Sequence, residues 1–206
     1  MSELELSPSG LERIAVPGRY GARTDSPGVV IAPRSDLALA TVMVRAGKLA
    51  DLSAQVAAVF GIELPKTPKR IDGEAVSFVW AGPGQWLAMA AGAAPDAFAR
   101  NLRRDFAGLA SVTDQSDGRA IIRAGGPMMR QALAKGIPID LDPVSFGPGD
   151  TALTTAGHIT MQFWQLDDVP TYEFAVFRSF AAAFCEWLKE AGAEFGVTVA
   201  EHGTRK

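Results

Sequence analysis

Apolar positions along the chain alternate between two spacings, and the changes of spacing mark out an α+β fold. From Asp36, residues Leu37 to Val44 are apolar on both faces and include the β-branched Thr41, Val42 and Val44, as a central strand requires. After Gly47, residues Leu49, Leu52, Val56 and Val59 recur at helical spacing, with Asp51 in the first turn and Gly61 as the stop. Val76, Phe78 and Trp80 then alternate as a second strand. Gly82-Pro83-Gly84 turns the chain, and Trp86 to Ala90 runs back as a third. Pro95 and Asp96 suit a helix start, since proline has no amide to leave unbonded and a carboxylate favours the positive dipole end. Phe98, Leu102 and Phe106 form its stripe, and Ser111 to Gln115 follows as a fourth strand. The order strand, helix, strand, strand, helix, strand is that of a ferredoxin-like lobe.

A second pass of similar order follows. Asp117-Gly118 reads as a hairpin turn between Ser111–Ser116 and Arg119–Ala124. A short helix opens after Gly126-Pro127, runs through Met129 and Leu133 and stops at Gly136. Strands are expected at Thr151 to Ala156, Ile159 to Leu166 and Tyr172 to Phe177. Ser179 is the expected N-cap of a final helix burying Phe180, Phe184, Trp187 and Leu188. The expected architecture is therefore two fused ferredoxin-like (split βαβ) lobes with antiparallel sheets, at 36–116 and 117–192, sharing one continuous core. Residues 1–35 are rich in Ser, Pro, Gly and Arg and are expected to form an extended arm lying on another surface, with 193–206 a C-terminal tail.

Composition removes several function classes. Twenty basic against 23 acidic residues give a formal charge of -3, which supplies no positive field for a phosphate backbone. The one cysteine, Cys185, cannot form an internal disulfide, which fits a reducing compartment, and a cytoplasmic location is expected. Glu3 and Glu5 interrupt the N-terminus, so it does not read as a signal peptide.

Candidate chemistry is sparse. His158 and His202 are the only imidazoles, neither stands at ligand spacing with Cys185, and no Gly-x-Ser-x-Gly element accompanies them. His158 follows Gly157 in an expected turn, where a solvated role is the simpler reading. Cys185 has no neighbouring imidazole to activate it. Gly125-Gly126-Pro127, between a strand and a helix, resembles a phosphate cradle, but Pro127 removes an amide and a structural turn fits better. Asp114, Asp117, Asp140 and Asp142 suit caps and turns better than acid–base pairs. Arg100, Arg103 and Arg104 form a small basic helix face, either simply solvated or a docking site for an acidic partner.

Several segments, in order, resemble one family. They are Gly82-Pro83-Gly84-Gln85-Trp86-Leu87, then Asp114-Gln115-Ser116-Asp117-Gly118-Arg119-Ala120 leading to Gly126-Pro127. Lys135-Gly136-Ile137-Pro138-Ile139-Asp140-Leu141 follows with Phe146 and Gly149, and finally Tyr172-Glu173-Phe174-Ala175-Val176-Phe177-Arg178-Ser179-Phe180 running into Trp187-Leu188. Over about residues 36–192 these resemble the γ subunit of heterotetrameric sarcosine oxidase, a fold relative of the folate-binding aminomethyltransferases. Ile137 stands where related iron–sulfur maintenance proteins carry a cysteine. The resemblance implies a non-catalytic subunit of a complex that demethylates sarcosine to glycine and passes the methyl carbon to tetrahydrofolate. FAD, FMN, NAD and tetrahydrofolate would then belong to partner subunits, with none in this chain, and the partners would be an α subunit together with β and δ. The surface implied to meet the α subunit includes the arm, exposed aromatics such as Trp86 or Trp164, and the face of Arg100, Arg103 and Arg104. Two alternatives stand beside it. One is a free-standing folate-binding aminomethyltransferase-like protein using a carboxylate such as Asp114 and an arginine such as Arg119. The other is a homo-oligomeric binding module.

Overall fold

A computed structural model describes residues 15–200 of the chain. In chain order the elements begin with β1 (Gly18–Tyr20), β2 (Val29–Arg34), β3 (Leu37–Val44), α1 (Leu49–Phe60), β4 (Arg70–Asp72), β5 (Ser77–Gly82) and β6 (Gln85–Ala91). They continue with α2 (Pro95–Asp105), β7 (Ala110–Asp114), β8 (Arg119–Gly125) and α3 (Met129–Ala134). The last are β9 (Thr151–Ala156), β10 (Ile159–Asp167), β11 (Thr171–Phe177), α4 (Ala181–Gly192) and β12 (Val197–Val199).

Local signals account for most of the boundaries. Gly61 takes a left-handed φ of 69° and returns its N–H to the Ala57 carbonyl, which closes α1 over buried Leu52 and Val56. Pro95 stands in the first turn of α2 beside Asp96, while Arg103 and Arg104 occupy the last turn, so both ends complement the helix dipole. Gly82 and Gly84 both have positive φ, and the β5–β6 register shifts between Trp80 and Gly82.

Two sheets result. The first lobe gives β4-β5-β6-β3-β7, whose last four members have the ferredoxin-like order. The larger sheet runs β1-β12-β2-β8-β11-β10-β9. The sheets pack back to back, with α1 and α2 on one outer face and α3 and α4 on the other. Alternation along the strands shows it. Ala38, Ala40 and Val42 join Leu52, Val56, Phe98 and Leu102 in the outer layer of the first lobe. Ile122, Phe163, Phe174 and Val176 join Leu133, Phe184 and Leu188 in that of the second. The intervening positions Leu39, Val79, Leu87, Met89, Ile121, Trp164 and Ala175 meet between the sheets. Each fully buried large side chain there contributes about 1.5–3 kcal/mol. The core is thus three layers, not one continuous body, and this is why β3 is apolar on both faces.

The larger sheet departs from the sequence-based expectation. Val29 and Ile31 are fully buried in β2, which pairs with β8 across Val30–Gly125 to Arg34–Ile121. Gly18–Tyr20 and Val29–Arg34 are therefore strands of the second sheet and not an arm; along β2 the side chains of Val29 and Ile31 enter the core while Val30 faces out. The rest of the expected arm, residues 1–14, lies outside the described residues. The expected tail likewise contains β12, which pairs parallel with β2 and antiparallel with β1, while 201–206 lie outside the described residues. Together β2 and β12 fill the place that a fourth strand would take beside β8.

Asp117-Gly118 does not make a hairpin. β7 pairs with β3 and β8 with β11 and β2, so the turn carries the chain from one sheet to the other, with Gly118 and Arg119 N–H groups donating to the Gln115 carbonyl. Ser179 is not the N-cap of α4: residues Arg178–Phe180 form a 3-10 turn, α4 starts after Phe180, and Phe180 is 49% exposed instead of buried.

Candidate functional site

The inter-sheet layer is apolar at its centre and charged toward one side, where Glu173 stands on β11. Glu173 faces the same side as Ala175, and its neighbours across the sheet are Arg123 on β8 and Trp164 on β10. Its side chain is 1% exposed. One oxygen accepts from Arg34 at 2.6 Å and from Arg123 at 2.7 and 3.1 Å. The other accepts from Arg70 at 3.0 Å and from the Trp164 indole N–H at 3.0 Å. Arg70 comes from β4 of the opposite sheet and lies over the Trp164 ring at 5.7 Å. Arg34 reaches outward to both oxygens of Asp36, and Arg70 to Asp72 at 2.7 Å. Three guanidiniums and three carboxylates thus form one chain of ion pairs clasping the sheets together.

This arrangement ties the two sheets together. A buried carboxylate is strongly disfavoured unless paired and hydrogen-bonded. Glu173 meets both conditions, and the donors that meet them leave it no lone pair for a substrate proton. Asp36 is held below the usual carboxylate range first by its hydrogen bonds to Arg34. A shallow recess of about 200 Å³ opens over the cluster, lined by Arg34, Arg70, Glu74, Ser77, Arg123 and Glu173 among others.

A second recess of about 150 Å³ lies farther along the same seam and shares Arg34 and Leu37 with the first. Its other lining residues include Leu39, Pro95, Ser116, Asp117, Arg119 and Arg178. Arg178 donates to the backbone carbonyls of Ser116 and Asp117 at 2.8 Å, fixing the inter-sheet turn. Arg119 lies 5.0 Å over the Phe177 ring, and its Nε is buried without a hydrogen-bond partner. Burial alone pulls its guanidinium below the usual value.

The structure scatters the residues singled out from sequence. Trp86 is 2% exposed, packs under α1 and α2, and donates its indole N–H to the Pro65 carbonyl at 2.8 Å. Trp164 is fully buried against Glu173. Neither is the exposed aromatic expected of an interface, because both lie on strands buried on both faces and both indole N–H groups have internal acceptors. Arg100, Arg103 and Arg104 are exposed on α2; Arg103 donates to the Val112 carbonyl and Arg104 pairs with Asp105. Asp114 accepts from the Ser116 N–H and does not line the Arg119 recess. Asp140 accepts from the Asp142 N–H and the Ser145 hydroxyl, which lower its pKa, and Asp142 accepts from the Val144 N–H.

Gly126, at φ 125°, lies against Gly28, where an added Cβ would stand 2.5 Å from the Gly28 carbonyl oxygen, so Gly125-Gly126-Pro127 is a packing turn. Cys185 is buried, and desolvation pushes its thiol up to about 12. His158 is exposed in the β9–β10 turn. Among the described residues no group of three or more His, Cys, Asp or Glu side chains could hold a metal ion, and no helix is long and apolar enough to cross a membrane.

The residues that sequence reasoning missed are Arg34, Arg70, Arg123 and Glu173. Glu173 carried a signal: a carboxylate in the middle of the apolar run Tyr172 to Phe177 must have buried partners. The partners themselves come from three distant strands, and no local pattern joins them.

Comparison with known proteins bears directly on this geometry. The model of the sarcosine oxidase, gamma subunit family matches residues 46–194. The chain belongs to that family. The span matched takes in the elements from α1 to α4, including Arg70, Arg119, Arg123, Glu173 and Arg178, while Arg34, β2 and β12 lie outside it. A chain of the heterotetrameric sarcosine oxidase from Corynebacterium sp. U-96, solved in complex with pyrrole 2-carboxylate, superposes with a TM-score of 0.73 at 23% identity, covering 85% of this chain and 88% of that one. The aminomethyltransferase T of the glycine cleavage system from Bartonella henselae superposes with a TM-score of 0.60 at 13% identity, over 92% of this chain and 57% of that one. The gamma-subunit chain thus has the α+β fold seen in both. No curated protein matches it.

Proposed function

We propose that this chain is the non-catalytic γ subunit of a heterotetrameric sarcosine oxidase and acts by binding the large α subunit, with β and δ subunits in the same complex. The observation that carries the reading is the family match over residues 46–194, and the seam chemistry agrees with it. The most buried carboxylate near a recess, Glu173, is spent on the chain's own arginines, and Cys185 is a deeply protonated thiol. Side chains committed in this way stabilise a rigid body, and a rigid body contributes to an enzyme complex by presenting surface. In this reading FAD, FMN, NAD and tetrahydrofolate are held by the partner subunits. Demethylation of sarcosine to glycine, with the methyl carbon passed to tetrahydrofolate, takes place on those partners.

Purification of the native complex, followed by an absorption spectrum, tests this. The chain is expected to co-purify with a larger flavin-bearing chain, and the chain alone to be colourless and inactive toward sarcosine. Turnover of sarcosine by the isolated chain would overturn the proposal. Micromolar binding of tetrahydrofolate to the isolated chain would favour a free-standing aminomethyltransferase-like role.

A further inference from the structure

The second recess differs from the Glu173 cluster in one respect: Arg119 and Arg178, which line it with Asp117 and the already paired Arg34, make no ion pair among the described residues. Arg119 makes no ion pair among the described residues, its Nε is buried without a partner, and burial already disfavours its charge. Arg178 spends Nε and one terminal nitrogen on backbone carbonyls, which add no negative charge. Leaving a desolvated guanidinium unpaired costs free energy, and such a cost is offset when an external carboxylate completes the pair.

The surroundings decide what kind of group brings that carboxylate. At about 150 Å³ the recess is smaller than the roughly 300–1,000 Å³ of small-molecule and cofactor sites, and it suits one inserted side chain. Phe177 and Phe180 bracket Arg178 in sequence and are 47% and 49% exposed, and the Phe177 ring lies 5.0 Å from the Arg119 guanidinium. Exposed aromatics next to a partly desolvated arginine make the composition of an interface hot spot.

We infer that the Arg119–Arg178 recess, together with the exposed Phe177 and Phe180 that flank Arg178 in sequence, is the surface by which this chain docks on the large subunit of its complex. The large subunit inserts an Asp or Glu side chain beside an apolar one. This rests on the γ-subunit reading and moves the interface away from the α2 face of Arg100, Arg103 and Arg104. The inserted carboxylate accepts from the terminal nitrogens of the Arg119 guanidinium, while the partner's apolar group covers the two phenylalanine rings.

The test is assembly with the co-expressed large subunit, read as the dissociation constant of the purified complex. Arg119→Gln and Phe180→Ala are each expected to weaken binding about thirty-fold or more, the loss of one hot-spot side chain. A triple Arg100→Glu, Arg103→Glu, Arg104→Glu chain is expected to bind within about three-fold of the unaltered one, as rim charges do. Phe180 is exposed on a 3-10 turn, so Phe180→Ala reads the same surface even where Arg119→Gln disturbs folding. Unaltered affinity in Phe180→Ala, or a loss confined to the triple α2 variant, overturns the inference. Failure of the unaltered chain to bind the large subunit overturns the γ-subunit reading instead, so the two outcomes are separable.

Discussion

The two recesses along the inter-sheet seam share Arg34 and are both lined by arginine, yet they have opposite completeness. In the Glu173 cluster three guanidiniums meet three carboxylates and an indole N–H, and the loop of ion pairs closes within the chain. In the Arg119 recess the guanidinium makes no ion pair among the described residues, its Nε has no acceptor there, and the neighbouring Phe177 is 47% exposed. The difference teaches which of two arginine-lined recesses is committed to the fold. A saturated polar cluster holds the fold, and an unsaturated one is free to meet a group from outside the chain.

Removing the carboxylate of the closed cluster gives the largest effect. Glu173→Ala leaves three guanidiniums without their shared acceptor and is expected to lose about 3–5 kcal/mol of stability in a denaturant titration. A loss below about 1 kcal/mol would show that the clasp is not what holds the sheets together. Trp164→Phe removes one charged hydrogen bond and keeps most of the ring, so a loss of about 1.5–3 kcal/mol is expected.

The open recess is expected to behave in the contrary way. Arg119→Met removes a half-buried guanidinium whose Nε has no acceptor among the described residues and keeps an apolar chain of similar length, so stability is expected to change by less than about 0.5 kcal/mol or to rise. A stability loss as large as that of Glu173→Ala would erase the distinction between the two recesses.

The smallest expected effect is at the outer end of the clasp. Asp36 is held below its ordinary value of 3.8 by Arg34. A depressed folded pKa contributes stability that is present above the unfolded value and lost as pH falls through the lower folded one. Asp36→Asn should therefore lose a small, constant amount of stability above about pH 4, and that deficit should vanish as pH falls further; a deficit that grew with falling pH would contradict the assignment. Because Asp36 is 44% exposed, its contribution is modest and should shrink further with added salt.

How much of this was legible in the sequence depended on distance along the chain. The first lobe lies within residues 36–116, its helices carry their own caps and stripes, and β3, α1 and α2 fall at their expected places. The second sheet recruits β2 from before that lobe and β12 from after α4, so no window of sequence contains it. Gly and Pro around Val29–Arg34 masked a strand whose alternation was present but short. Asp117-Gly118 has hairpin chemistry in the wrong context, since the strands on its two sides find longer partners in different sheets. The Trp86 and Trp164 expectation failed because strands buried on both faces carry no alternation to show which side is wet. Arg119 was noted as a candidate beside Asp114, yet its unpaired state is a property of packing alone.

The role proposed for this chain is to hold a flavin-bearing partner through its surface while the partner performs the chemistry. Co-expression with the large subunit, followed by gel filtration monitored at flavin and protein wavelengths, tests it most directly. The account expects the chain to elute with the flavin absorbance as one particle, and the chain alone to elute colourless and without sarcosine turnover. Separate elution from the flavin peak, or turnover by the chain alone, would contradict it.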